Sequence, residues 1–254
     1  MTDQAERKYV LITGAASDVG RVLALDLSSE YDLLLTDYDV EELENTAKVI
    51  REHSSANVIL WEQDLLDGET IEASLADVLK DHGITVSKFI HLAGFCRKAP
   101  LKMMRHSDYN DAFKLMVTSA AMIIKSLTSR KINARALDSA LLVSSSSAIR
   151  GVKTFSAYGA AKAAMNGLMR NLAIELAPRV RVNSILPGGM VTRATEALYE
   201  DEAFRSRAEK LYPLGIGTPD KLKGMVRLLL SDDADWITGQ EIVIDGGRTT
   251  DGTE

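Results

Sequence analysis

Tyr9-Val10-Leu11-Ile12-Thr13-Gly14-Ala15-Ala16-Ser17-Asp18-Val19-Gly20 is the stretch whose reading decides the fold. Its first four residues form a short, continuous apolar run, the pattern of a strand buried on both faces of a parallel sheet. The run stops at Thr13-Gly14, and Val22, Leu23, Leu25 and Leu27 then recur at helical spacing. Strand, glycine turn and helix in direct succession predict a phosphate-binding turn. The glycines let the backbone bend and approach a ligand, and the helix N-terminus favours an anion. Gly14, Ser17, Asp18 and Val19 are its candidate contacts. A second strand-like run, Tyr31 to Thr36, ends at Asp37. A carboxylate there can accept from the ribose hydroxyls of an adenosine and would repel a 2′-phosphate.

Downstream, strand and helix patterns alternate to the end of the chain. Helix Glu41 to Glu52, strand Asn57 to Trp61 with Asp64 behind it, helix Glu69 to Asp81 and strand Lys88 to Leu92 precede Ala93-Gly94. A helix from about Asp108 to Arg130 leads to a strand at Ala140 to Val143. A long helix to about Pro178 follows, then strand Val180 to Leu186 and Pro187-Gly188-Gly189. A polar, charged helical insert, Thr192 to Lys210, comes before helix Pro219 to Leu230 and a last strand, Glu241 to Ile244. Alternating β and α predicts an α/β fold, a doubly wound parallel β-sheet in one domain over 1–254, with a substrate-loop insert at about 190–215.

Between that central strand and the long helix lies Ser144-Ser145-Ser146-Ser147, and the helix carries Tyr158-Gly159-Ala160-Ala161-Lys162. A tyrosine and a lysine four apart share a helix face. A free phenol titrates near ~10, and a neighbouring ammonium favours phenolate and draws that value down. A general acid/base works best with its pKa near the operating pH. Ser145 precedes Tyr158 by thirteen positions, at the C-terminal end of its strand, where a hydroxyl can donate.

Composition narrows the function classes. The net charge of −6 leaves no basic footprint for nucleic acid. One cysteine, Cys96, excludes an internal disulfide, and four scattered histidines lack ligand spacing, so no metal site is expected. No apolar run is long enough to span a bilayer. The charged start, Met1 to Lys8, lacks the apolar core of a signal peptide, and a soluble, cytoplasmic protein is expected.

Together these motifs resemble the short-chain dehydrogenase/reductase family in its single-domain, Y-x-x-x-K form, over nearly the whole chain from Tyr9 to Gly247. They comprise the Thr13–Gly20 turn, Asp37, Asp64, Ala93-Gly94, Ser145, Tyr158 and Lys162, Pro187-Gly188, and the terminal Thr238-Gly239-Gln240 and Asp245-Gly246-Gly247. The resemblance implies a Rossmann-like sheet of seven strands, NAD lying across the strand C-termini, and a homotetramer or homodimer. It implies an NAD(H)-dependent oxidoreductase interconverting a secondary alcohol and its ketone. Tyr158 would be the general acid/base. Lys162 would lower its pKa and hold the nicotinamide ribose, and Ser145 would donate to the reacting oxygen. Asp64 and Leu65 look like adenine contacts, Ala93 and Gly94 pass close to the cofactor, and Pro187, Gly188 and Thr192 flank the nicotinamide.

Three departures from the family pattern stand out. Asp18 replaces the middle glycine of the turn, and its carboxylate is expected to turn away from the pyrophosphate and cap the following helix. His91-Leu92 replaces an asparagine pair. Met116 stands where the family has an asparagine that holds a water linked to the lysine; either a backbone carbonyl or a neighbour such as Ser119 holds it instead, or the proton path is slower. These departures motivate an alternative, a cofactor-binding scaffold or sensor with weak turnover. A sugar-nucleotide epimerase uses the same Tyr and Lys but usually carries a longer C-terminal substrate domain. Arg97, Lys98, Lys102 and Arg105 in one loop, and Arg150 and Lys153 in another, suggest an anionic small-molecule substrate, with Arg97 and Arg150 as its candidate contacts.

Overall fold

β1 (Tyr9–Thr13) is buried at every position and lies at the centre of the sheet. The structure is a computed structural model, and it describes residues 7–193 and 195–250. Most of the charged N-terminal stretch, residues 1–6, therefore lies outside the described residues. On one side of β1 run β2 (Asp32–Thr36) and β3 (Val58–Leu60). On the other run β4 (Val86–His91), β5 (Ser139–Val143), β6 (Arg181–Pro187) and β7 (Glu241–Ile244). The order is β3-β2-β1-β4-β5-β6-β7, and every pairing is parallel. The chain reverses direction across the sheet between β1 and β4, which opens a crevice at the carboxyl ends of those strands.

Side chains alternate between two cores, as the strand period of two requires. Leu11, Leu34, Phe89 and Leu142 face one core. There they meet Leu75 of α3 (Ile71–His82), Ile123 of α5 (Ser119–Thr128) and Met165 of α7 (Ser156–Leu176). Val10, Ile12, Leu35, Ile90 and Leu141 face the other. Their partners are Leu23 of α1 (Asp18–Leu27), Leu43 of α2 (Val40–His53) and Val226 of α10 (Lys223–Leu230). A sheet covered on both faces has no polar side to show in the sequence, which is why its strands read as unbroken apolar runs. Each fully buried leucine contributes roughly 1.5–3 kcal/mol.

The single helix expected from about Asp108 to Arg130 is divided. α4 (His106–Phe113) passes into a π-helical turn, Lys114–Thr118, and α5 continues from Ser119. The π-turn inserts one residue and widens the helix around Met116, which is fully buried. The short α6 (Arg130–Asn133) leads into β5. The insert forms α8 (Glu196–Glu200) and α9 (Glu202–Lys210), and the helix at Pro219 opens as a 3-10 turn before α10. Among the described residues no helix is long and apolar enough to cross a membrane.

Candidate active site

The turn after β1 works because two positions tolerate no side chain. Gly14 has φ +71°, and a Cβ there would come within 2.9 Å of the Ala93 nitrogen, so the turn packs directly on the end of β4. A Cβ on Gly20 would come within 2.7 Å of the Ala15 Cα, so the first turn of α1 is pressed against the loop before it. Ser17 caps α1: its Oγ accepts from the Gly20 N–H at 3.0 Å and donates to the Gly14 carbonyl at 2.7 Å.

Asp18 is therefore not the cap, contrary to the sequence expectation. It is the first helical residue, and its carboxylate turns across the crevice to Arg193, accepting from the backbone N–H at 2.5 Å and from Nε at 2.6 Å. Arg193 also donates to Glu42 Oε2 at 2.8 Å and to the Ala16 carbonyl at 3.0 Å, and Arg21 reaches the same Glu42 oxygen at 2.9 Å. Arg193 directly follows Thr192, so the loop behind β6 is tied to the phosphate-binding turn. Asp37 accepts from the Ala16 N–H at 2.9 Å and from the Asp39 N–H at 3.3 Å. The cap of α2 is Asp39, which accepts from the Glu42 N–H at 3.1 Å. Asp37 thus follows β2 directly, beside the turn.

The remaining candidates follow the carboxyl ends of neighbouring strands. Asp64 is exposed and accepts from the Leu66 N–H at 2.9 Å, while Leu65 is buried. The Ala93 N–H donates to Thr13 Oγ1 at 3.2 Å. Gly94 lies over Lys162: a Cβ there would stand 3.6 Å from Nζ and 3.1 Å from Met116 Cγ. Pro187 ends β6, the Gly188 N–H donates to Ile244, and the Thr192 N–H donates to Thr195 Oγ1 at 2.9 Å.

Ser145 Oγ accepts from Ser147 twice, from its N–H at 3.2 Å and from its Oγ at 3.0 Å. A hydroxyl has two acceptor sites and one hydrogen, so Ser145 is left as a donor, and it faces the Tyr158 hydroxyl. Lys162 is buried; its Nζ donates to the Val143 carbonyl at 2.7 Å and stands 5.7 Å from the centroid of the Tyr158 ring. Ser144 Oγ donates to the Lys162 carbonyl at 2.9 Å and so pins α7 to the end of β5.

The expected lowering of the Tyr158 pKa by Lys162 is not what the structure gives. Tyr158 is half-buried, and burial pushes its pKa up to about 12 against the opposing pull of Ser145. Burial also lowers Lys162 to about 7. Desolvation dominates at both groups, and Tyr158 holds its proton.

The basic loops are less available than their charge count implied. Arg97 Nε lies 3.2 Å from Asp108, a buried carboxyl held below its usual range first by the Arg105 N–H and then by the Arg105 guanidinium. Lys98 Nζ sits 5.9 Å above the Phe155 ring, which meets Tyr158 edge-on at 5.7 Å. The Ala99 N–H donates to the Thr154 carbonyl, so the two loops do border one another. Arg150 keeps a buried Nε with no partner. Cys96 is exposed, and its thiol is pushed up by partial burial, which does not suit a nucleophile. A surface cleft of about 730 Å³ against α3 and α5 contains none of Ser145, Tyr158 and Lys162. Among the described residues no group of three or more His, Cys, Asp or Glu could hold a metal ion.

Sequence reasoning missed two residues. Arg193 had one signal, an acid standing where a glycine was expected and needing a cation. His91 is fully buried and bonded through Nδ1 to Thr13 Oγ1 at 2.9 Å; it registered only as a lost asparagine.

A family model described as "Enoyl-(Acyl carrier protein) reductase" matches residues 14–249. The chain is similar to the 3-oxoacyl-[acyl-carrier-protein] reductase FabG of Thermotoga maritima, 31% identical over 245 residues, covering 95% of this chain and 98% of that one. It is 27% identical over 243 residues to the 5-keto-D-gluconate 5-reductase of Escherichia coli, covering 94% of each. Among solved structures, a putative gluconate dehydrogenase from Agrobacterium tumefaciens superposes with a TM-score of 0.89 at 25% identity, covering 96% of both chains.

Proposed function

Because the chain belongs to the short-chain dehydrogenase/reductase family, we propose that it is an NAD(H)-dependent oxidoreductase interconverting a secondary alcohol and its ketone, with Tyr158 as general acid/base. Oxidoreduction of the alcohol–ketone type with a nicotinamide cofactor is what the family and these relatives have in common. The finer assignments rest on the site.

The observation that carries the reading is the grouping of Ser145, Tyr158 and Lys162 at the carboxyl end of β5. Ser147 fills both acceptor sites of Ser145, so its hydrogen, which faces the Tyr158 hydroxyl, would turn to a carbonyl or alkoxide oxygen when substrate binds. Tyr158 keeps its own proton beside it, as an acid that protonates an alkoxide must. Lys162, buried below Gly94 with Nζ donating to the Val143 carbonyl, stands where it would hold the nicotinamide ribose beside Tyr158.

The residues present fit a dinucleotide: a turn that excludes side chains at Gly14, the capped N-terminus of α1, and Asp37 beside that turn. When bound, the nicotinamide would accept or donate the hydride at C4. Gly14, Ser17 and Val19 would hold the phosphates, Asp37 the adenosine ribose, Asp64 and Leu65 the adenine, and Ala93, Gly94, Pro187, Gly188 and Thr192 the nicotinamide half. NAD over NADP is supported by Asp37 and by the state of the nearest guanidiniums. Arg193 and Arg21 are both paired with carboxylates rather than presented to a 2′-phosphate.

An anionic substrate is the second part of the proposal. Arg150 and Lys98 support it, Arg97 less so, being paired with Asp108. One similar protein is named for a carrier-linked oxoacyl group and another for a keto sugar acid, both anionic. The scaffold alternative loses ground because Asp18, His91 and Met116 each sit in an ordered environment around an assembled Ser-Tyr-Lys group. The resemblance also implies a cytoplasmic homotetramer or homodimer, an assembly that sedimentation would measure.

Calorimetric titration with NAD(H) and NADP(H), then nicotinamide absorbance over a panel of charged and neutral secondary alcohols and ketones, tests the reading. Tighter NAD(H) binding and turnover of at least one ketone are expected. Failure to bind either cofactor would overturn it.

A further inference from the structure

His91 ends β4 with its imidazole wholly buried. Its Nδ1 lies 2.9 Å from Thr13 Oγ1, and the same oxygen lies 3.2 Å from both the Leu92 and the Ala93 backbone nitrogens. Amide N–H groups can only donate: Ala93 donates to the Thr13 hydroxyl, and Leu92 shares its N–H between that oxygen and the Thr13 carbonyl at 3.2 Å, so the hydroxyl's single hydrogen goes to His91 Nδ1. Nδ1 is therefore an acceptor, and the neutral ring carries its proton on Nε2. That N–H faces the Leu115 and Met116 carbonyls without a direct hydrogen bond.

Those two carbonyls belong to the π-turn, where the regular helical bonding is loosened. Leu115 already accepts from Ser119 Oγ at 2.5 Å, which commits Ser119 to the turn itself. Lys162 is the charged group that faces His91 from α7; from β1 the ring meets Thr13, and on its own strand it meets Phe89 at 5.9 Å between centroids. Burial and the Lys162 charge both disfavour a protonated imidazole. The methionine at 116 cannot hydrogen-bond to a water as the family's asparagine does, yet the turn it sits in keeps its π form.

We propose that His91 is a positioning residue that takes over the role of the missing asparagine. Its Nε2–H holds the Leu115–Met116 carbonyls through one water and keeps a polar path open behind Lys162. This rests on the function proposed above. The imidazole itself carries no proton in the reaction; it stays neutral and orients the groups that do.

The first arm needs no activity. In protein labelled with ¹⁵N-histidine and free of cofactor, one ring should show Nδ1 unprotonated and Nε2 protonated, with no titration from pH 5 to 9. An Nδ1–H tautomer, or titration near the ordinary histidine value, would overturn the assignment. The second arm compares His91→Leu, His91→Asn and the double variant His91→Leu with Met116→Asn. His91→Leu should lower kcat by roughly 10–100-fold, at or below the smallest contribution of a direct proton-transfer group, with cofactor Kd and substrate KM little changed. His91→Asn and the double variant should each restore part of it. A loss shared equally by stability, Kd and kcat, with no rescue, would make His91 merely structural and sink the proposal. A wild-type protein inactive with every nicotinamide substrate would overturn the functional reading and the positioning role together, while the tautomer assignment would stand or fall on its own spectrum.

Discussion

Replacing Asp18 with Ala should release the loop behind β6 without unfolding the protein. Asp18 holds Arg193 by one ion pair and one backbone N–H, with side-chain exposures of 21% and 52%. A pair this open to solvent contributes about 0.5–1 kcal/mol, and the charge-assisted N–H bond about 1 kcal/mol more. A total near 1.5–2 kcal/mol corresponds to a roughly 10–30-fold rise in the population of the open loop. Hydrogen-exchange mass spectrometry over residues 190–210 reads this directly. Those peptides should exchange about 10–30-fold faster in Asp18→Ala, while peptides from β1, β4 and β5 stay protected. Raising the salt should speed the loop more in wild type than in the variant, which keeps only the Arg193–Glu42 pair to be screened. Because the same loop carries Thr192 over the turn, cofactor association and release should both quicken. Equal exchange in the two proteins, with no response to salt, would refute the latch.

Three further outcomes are expected. The His91 pKa is lowered to about 3 in the fold against 6.5 outside it, so between those values the unfolded chain binds more protons. Its share of stability is whole above pH 6.5 and is lost as pH falls toward 3; urea midpoints at pH 7 and 4.5 should diverge less in His91→Asn than in wild type. Gly14→Ala forces a side chain into positive φ and within 2.9 Å of Ala93, costing about 1–3 kcal/mol in melting experiments and weakening NAD(H) binding. Asp37→Ser should narrow the preference for NAD(H) over NADP(H) in calorimetry by removing the repulsion of a 2′-phosphate; an unchanged ratio would show that Asp37 does not set it.

Much of the fold was legible because its strands are covered on both faces. Leu33, Leu34 and Leu35 could only be read as a buried strand, and the glycine turn after Ile12 fixed what came next. The π-turn at Met116 was not legible, since one inserted residue leaves the apolar spacing of a long helix nearly unchanged. Ser145, Tyr158 and Lys162 were visible as a spacing, but the direction of the tyrosine shift was not: four residues along a helix say nothing of how far a tyrosine is buried. Asp18 finds its partner 175 positions away in Arg193, a distance over which residue types alone carry no pairing signal. Arg97 looked like a substrate cation because nothing in its own loop marked Asp108 as the acid that would claim it.

The central claim is that Tyr158 moves the proton, and Tyr158→Phe addresses it most directly. Turnover followed by nicotinamide absorbance, on whichever ketone the wild type reduces best, should fall by about 10²-fold or more, with cofactor Kd nearly unchanged. A phenylalanine variant that turned over like wild type would contradict the account, because the proton would then have to travel through another group.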